Sequence, residues 1–281
     1  MKRLGFQVSY FGDHFFGSQM QPDRRTVEGE FIAACRSLGL FDDWRGAGFA
    51  FAGRTDRGVH ARRQVAAFTT DEPERAISAL NLLLPADCWC TGWAPVPEMF
   101  HPRFDARQRT YRYFFPDPDP DMAAMQAVAD VFVGTHDFSR FARVADRNPC
   151  RTILSSRMSA AGSCAVYEVT GESFLWNMVR CMATALAAAG KGEMTPEDVE
   201  EILSDPQGDR LGAAPAGGLI LWDVDCEIRF EPVEADRRSN GYCSSLIREW
   251  RVRKKVVESL CRSGVDLGGE KPVDEELGNV I

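Results

Sequence analysis

Short runs with a period of two residues recur in both halves of this chain, with helix-period runs set between them, and that alternation restricts it to α+β architectures. Residues 4–10 alternate apolar and polar side chains as a half-buried strand does, and Gly12-Asp13 marks its end. After a polar loop at 19–24, Thr26 stands in an N-cap position, followed by Val27, Phe31, Ala34, Cys35 and Leu38 at helical spacing. Two short apolar runs, 48–52 and 64–68, enclose a charged loop at 54–58. Residues 74–84 have a helical pattern and 88–94 that of a strand. The series restarts with the aromatic strand 110–115. Strands at 151–158 and 165–170, an apolar helix at 174–188 closed by Gly190, a helix announced by Thr195 and Pro196, and a core strand at 219–224 complete it. The expected organisation is therefore one half at 1–105, a second at 106–230, and a polar, partly basic extension at 231–281. Within that extension, 246–260 has the pattern of a basic helix carrying Arg248, Arg251, Arg253, Lys254 and Lys255.

Composition removes several classes of function. No apolar run approaches the roughly 20 residues of a membrane helix, and the first residues lack the apolar stretch of a signal peptide, so the expected setting is the cytosol with no membrane partner. Nine cysteines, an odd number without paired spacing, read as reduced and mostly buried small residues. His14, His60, His101 and His136 fall in no zinc-binding pattern, so no metal is expected. Gly46-Ala47-Gly48 lacks the third glycine of a dinucleotide loop, Phe51 standing in its place, which excludes a nucleotide cofactor there. A net charge of -8 argues against a nucleic-acid partner. The basic residues, however, include only five lysines among 33, and arginine's planar donor fork suits phosphate contact and stacking on bases. An acidic body can carry a basic cleft.

The most unusual stretch is Gly53-Arg54-Thr55-Asp56-Arg57-Gly58-Val59-His60-Ala61, a carboxylate between two arginines in a glycine-bounded loop. Nearby positive charge favours the ionised form, which serves as a nucleophile, as a general base or merely as an ion-pair partner. Arg180 lies in Phe174-Leu175-Trp176-Asn177-Met178-Val179-Arg180, a run so apolar that much of it must be buried, and a buried guanidinium requires an anion. Tyr111, between Arg109 and Arg112, belongs to the mix of aromatic and arginine that stacks an extruded base, although core packing produces the same pattern. A metal-dependent phosphohydrolase would need a carboxylate cluster that is absent around Asp56.

Several ordered blocks together resemble the tRNA pseudouridine synthase A family. They are Tyr10-Phe11-Gly12 through Gly17-Ser18-Gln19, Arg25-Thr26-Val27-Glu28-Gly29, the Asp56 loop, Phe100-x-x-Arg103-Phe104-x-Ala106 leading into Tyr111-Arg112-Tyr113, Gly134-x-His136-Asp137-Phe138, the Arg180 segment and Ala214-Pro215-x-Gly217-Gly218-Leu219. The resemblance implies two ferredoxin-like halves joined in one mainly antiparallel sheet with an RNA-binding cleft between them. It implies isomerisation of uridine to pseudouridine in tRNA, in the anticodon arm at positions 38 to 40 or at other tRNA positions, with no cofactor and in a homodimer. It assigns Asp56 as nucleophile, Arg180 as its ion-pair partner, Tyr111 as the residue stacked on the target base and Arg54 as a contact to the displaced nucleotide. Arg57, His60 and Arg112 are further candidates for contact with RNA, satisfied loop histidine being the alternative for His60 and for His136. Against the commonest bacterial pattern of the family, Ser18 stands where a tryptophan is usual, Arg57 where an alanine is usual, and the basic segment after Phe230 is additional; it either grips tRNA or forms a solvated helix. The competing function is a tRNA-binding or chaperone protein without catalysis.

Overall fold

The strand alternation at the start of the chain becomes β1 (Lys2–Tyr10), which sits between two antiparallel neighbours because both of its edges carry strand-forming partners. The computed structural model describes residues 1–117, 119–144, 148–234 and 236–261. After β1 come α1 (Val27–Ser37), β2 (Ala50–Phe51), β3 (His60–Thr70), α2 (Pro73–Leu83) and β4 (Cys88–Pro95). The second series is β5 (Gln108–Phe114), α3 (Met122–Val131), β6 (Gly134–Asp137), β7 (Cys150–Ala161), β8 (Cys164–Gly171), α4 (Met178–Ala189), α5 (Pro196–Ser204) and β9 (Leu219–Asp225). β10 (Glu231–Pro232) and α6 (Arg237–Cys261) follow.

The strands form a ten-stranded sheet in the order β10-β4-β1-β3-β9-β5-β8-β7-β6, with β2 paired to β3. The first half places its strands as β4-β1-β3-β2 and the second as β9-β5-β8-β7 with β6 added beyond β7; apart from that added edge strand, the fourth, first, third and second strands of each series are neighbours in the same order. That shared order is the ferredoxin-like arrangement, and it appears without any repeat in the letters of the sequence. β3 and β9 join the halves by a short parallel pairing, His60 with Ile220 and Ala61 with Leu221, while every other named strand pair is antiparallel.

One face of β1 explains the first core. Leu4, Phe6, Val8 and Tyr10 are buried at alternate positions. Phe6 stacks on Phe68 with ring centres 5.5 Å apart, and Phe31 of α1 meets both rings edge-on. Helix α1 starts where expected, with the Thr26 side chain accepting from Gly29 N, and α5 carries a full capping box between Thr195 and Asp198. Cys35, Cys88, Cys90, Cys181 and Cys226 are buried and none of the nine cysteines is bridged.

Three departures from the sequence reading have local causes. The apolar run expected as a helix from 174 to 188 is helical only from Met178. Asn177 takes a left-handed conformation at φ 65, and the Trp176 carbonyl accepts from Arg143 N at 2.8 Å, so residues 174–177 form an irregular turn. α3 and β6 were not anticipated, although Asp121 is an N-cap whose carboxylate accepts from Ala123 N and Ala124 N. Residues 231–232, read as the start of an extension, pair as β10 with Trp93 and Gly92 of β4. Just beyond them, Arg238 donates to the carbonyls of Asn81, Leu82 and Leu84 at the end of α2, where helix carbonyls lack partners of their own.

The chain divides into two compact units, residues 1–239 and 240–281. Within the second, the expected basic helix is the continuation of α6 to Cys261, with Arg253 bonded to Glu249 and Lys255 to Glu258; residues 262–281 of the expected extension lie outside the described residues. No helix among the described residues is long and apolar enough to cross a membrane. The aromatic core sets a stability order: Phe31→Ala should lower the unfolding free energy by about 3–5 kcal/mol, and Thr26→Ala by about 1 kcal/mol, as measured by urea unfolding at pH 7. Equal losses would mean that α1 is not held by its buried face.

Candidate active site

The Asp56 loop leaves β2 and enters β3 at His60, so it lies beside the seam between the halves. Its backbone is fixed from several directions. Gln64 Nε2 donates to Gly53 O at 2.8 Å, and Thr55 N donates to Ser18 Oγ at 2.8 Å while Ser18 N donates to Thr55 O at 3.0 Å. Ser18 is 1% exposed, and a tryptophan in its place could not accept from Thr55 N in the same way. Thr55 Oγ1 and Tyr10 OH are 2.8 Å apart. Gly17, at φ 89, comes so close that a Cβ there would lie 2.9 Å from Thr55 O, and a Cβ on Gly12 would lie 2.3 Å from Val59 O. His60 is part of this framework. Its Nδ1 accepts from Gly12 N at 3.0 Å, which leaves the proton on Nε2 to be donated to Gly217 O at 3.2 Å.

Arg180 comes to Asp56 from α4 in the second half. Its Nη1 donates to Asp56 Oδ2 at 3.5 Å and to Asn177 Oδ1 at 3.2 Å, and its Nε donates to Ala214 O at 2.6 Å. The side chains of Arg180 and Asp56 are 18% and 30% exposed, so the pair is largely but not wholly withdrawn from water. Burial holds the Asp56 carboxyl above its ordinary value; the Arg180 charge, a hydrogen bond from Trp176 and the bond from Arg180 act in the opposite direction. The expectation that Arg54 and Arg57 would favour ionisation is therefore corrected. Neither is among the groups that act on Asp56, and desolvation outweighs the attraction that Arg180 supplies.

Tyr111 is two strands from β3. Leu221 of β9 pairs with Ala61 on one side and with Tyr111 on the other, which places the tyrosine on the same part of the seam as the loop. Its ring meets Phe174 edge-on at 5.0 Å, it is 8% exposed, and burial pushes its hydroxyl up to about 12. Arg54 and Arg57 are exposed on the loop, and Arg57 lies over Phe16. Arg112 is not brought to this site. It is adjacent to Tyr111 in a strand and so faces the other side of the sheet, where it bonds to Glu168 at 2.6 Å and lies 3.6 Å from the centre of the Trp222 ring. His136 is satisfied locally, Nε2 lying 3.0 Å from Val133 O.

Two residues at the site were not singled out in the sequence. Trp176 favours the charged form of Asp56, yet it is 54% exposed and its ring lies under the Arg143 guanidinium at 4.6 Å. Arg109 is 9% exposed and donates to four carbonyls: Ala52 at 3.1 Å, Arg103 at 2.6 Å, Ala106 at 3.4 Å and Glu172 at 2.7 Å. It thereby ties the start of the Asp56 loop to the connection between the halves and to the segment leading into Arg180. Nothing in the run of arginines distinguished it, because its partners are backbone atoms remote in sequence. Among the described residues no group of three or more His, Cys, Asp or Glu side chains is placed to hold a metal ion.

A family profile described as tRNA pseudouridine synthase matches residues 128–226. A protein of Methanoculleus marisnigri named tRNA pseudouridine synthase A is 62% identical over 259 residues, covering 92% of this chain and 96% of that one. Its namesake in Methanosphaerula palustris is 54% identical over 273 residues, covering 97% and 98%. The chain belongs to the tRNA pseudouridine synthase A family. The similarity reaches further, to a Thermococcus sibiricus protein of the same name that is 43% identical over 231 residues, 82% of this chain and 87% of that one.

In this family member the electrostatics of Asp56 are open to direct titration by carboxyl-carbon NMR. Trp176→Phe removes a donor that favours the carboxylate, so the Asp56 midpoint should move to higher pH, and Arg180→Met, which removes the larger influence, should move it further. A midpoint that both variants leave in place would show that burial alone sets it.

Proposed function

We propose that this chain isomerises uridine to pseudouridine in tRNA, with the Asp56 carboxylate as nucleophile. The observation that carries the reading is the position of that carboxylate: on a rigid loop at the seam of the two halves, with Arg180 of the second half 3.5 Å away and Tyr111 two strands from it. In the reaction the bond between ribose C1′ and uracil N1 breaks and one between C1′ and C5 forms; N1 gains a proton and C5 loses one. Atoms balance without an external donor, so no cofactor is required. Arg180 offsets the negative charge that makes Asp56 nucleophilic, and the partial exposure of Asp56 leaves it open to a base brought in from outside.

Reaching a base within a stem requires extruding it at a cost of a few kcal/mol. Stacking on the apolar surface around Tyr111 and contacts from arginines to phosphates supply the compensating interactions, and exposed Arg54 is suited to hold the displaced nucleotide. The target positions are proposed to lie in the anticodon arm, at 38 to 40. Residues 1–105 and 106–230 are proposed as the two walls of the RNA site, in a cytoplasmic homodimer.

Tritium release from unmodified tRNA carrying 5-tritiated uridine, without added metal or nucleotide, tests the activity. The wild type should release tritium and Asp56→Asn should release none above background while still binding tRNA. A folded wild-type protein that binds tRNA without release would instead be the non-catalytic RNA-binding protein.

A further inference from the structure

We propose that Phe16, Arg24 and Arg57 form a binding site for the sugar–phosphate backbone of tRNA on the rim of the Asp56 loop, a reading that rests on the proposed action on tRNA. The guanidinium carbons of Arg24 and Arg57 lie 4.6 Å and 4.5 Å from the centre of one and the same ring, that of Phe16. Arg57 follows Asp56 directly in the chain. Phe16 precedes Gly17, whose missing side chain lets it approach Thr55 O and Arg57 N. The three side chains therefore project from two segments that are already locked together at the nucleophile. Phe16 itself is anchored by its backbone, N donating to Arg25 O at 2.8 Å and O accepting from Gln21 Nε2 at 2.8 Å.

The neighbouring residues show what a purely structural version of this motif looks like. Arg25 also lies over a phenylalanine, Phe15, at 4.2 Å, but its guanidinium bonds to both carboxylate oxygens of Asp87 at 2.8 Å and to Glu30 at 2.8 Å, and Phe15 is buried. That arginine is neutralised within the protein. Arg24 and Arg57 are exposed, Phe16 is only half-buried, and neither arginine has a carboxylate within 4.0 Å among the described residues. Two guanidiniums gathered on one ring without a counter-ion repel each other, in a chain whose net charge of -8 offers many carboxylates that were not placed there. An external anion relieves that repulsion.

The chemistry of the arrangement selects a phosphate backbone. A guanidinium held over an aromatic face keeps N–H donors for phosphate oxygens, and two such groups fixed by a shared ring engage one phosphate or two successive ones. This grip would act on the nucleotides flanking the extruded uridine, because Arg57 and Asp56 are consecutive.

The test is the salt dependence of binding between the full-length protein and an unmodified tRNA transcript. Arg24→Gln and Arg57→Gln should each reduce the slope of log K against log salt concentration by about 0.7–0.9 and the double variant by about twice that, since each removes one phosphate contact. Arg57→Lys, which retains the charge, should keep most of the slope. Phe16→Leu keeps both charges but not the platform, and should weaken binding several-fold at fixed salt. Unfolding midpoints equal to wild type confirm that each variant is folded. A double variant with the wild-type slope, or Phe16→Leu binding as the wild type does, would overturn the proposal. So would inorganic phosphate at millimolar concentration displacing tRNA from the wild type, which would mark a small-anion site. Asp56→Asn should abolish isomerisation while keeping the wild-type slope, so loss of the catalytic reading and loss of this one are separately visible.

Discussion

The ion pair between Arg180 and Asp56 is the constraint around which the two halves are organised. A guanidinium on a helix as apolar as α4 must find polar partners, since an uncompensated charge withdrawn from water costs several kcal/mol, and one of those that Arg180 finds is an anion. The anion comes from a loop 124 residues earlier in the chain. Arg180 also donates to Asn177 and Ala214 of its own half, whereas the groups that stabilise the Asp56 charge, Arg180 and Trp176, both come from the other half, so it is Asp56 that depends on the seam between β3 and β9. The parallel pairing there covers only His60 with Ile220 and Ala61 with Leu221, and the contacts crossing beside it have a large share in holding the halves in register.

Those contacts are mainly side chains bonded to backbone. His60 crosses from Gly12 to Gly217, while Tyr113 OH donating to Pro215 O and Arg180 exchanging bonds with Ala214 through both its side chain and its backbone brace the second half on its own side of the seam. Arg109 does the same at the other end of the loop with four carbonyls and no carboxylate. Burial lowers the affinity of Arg109 for its proton, but carbonyl acceptors that are rigidly placed compensate a buried guanidinium without creating a competing anion near Asp56. Among the described residues Arg180 and Trp176 are the groups that favour the charge of Asp56, and its raised affinity for a proton reflects how much burial it bears.

The sheet also separates functions by face. On β5, Tyr111 and Tyr113 turn toward the Arg180 side, whereas Arg112 turns away to Trp222 and Glu168, with Arg62 at 4.2 Å from the same indole. Adjacent letters in the sequence therefore carry unrelated tasks. The pairing of β5 with β9 shifts register at this point, Thr110 pairing with Asp223 and Tyr111 with Leu221, so that Trp222 is the extra residue on β9.

Much of this was determined by the sequence alone. Period-two and helix-period runs specify most strands and helices, Thr26 and Thr195 specify helix starts, and the Asp56 loop and the solitary Arg180 identify the charged groups that need each other. Those signals are local, or depend on a charge that composition makes conspicuous. What only the tertiary structure decided depends on distance through space. The irregular turn at 174–177 exists because Trp176 meets Arg143; Arg109 matters because four carbonyls from separate segments converge on it; Ser18 matters because Thr55 lies against it. Backbone groups have no letters of their own, so a side chain whose partners are carbonyls and amides leaves no mark in the sequence, and only the folded chain reveals what it holds.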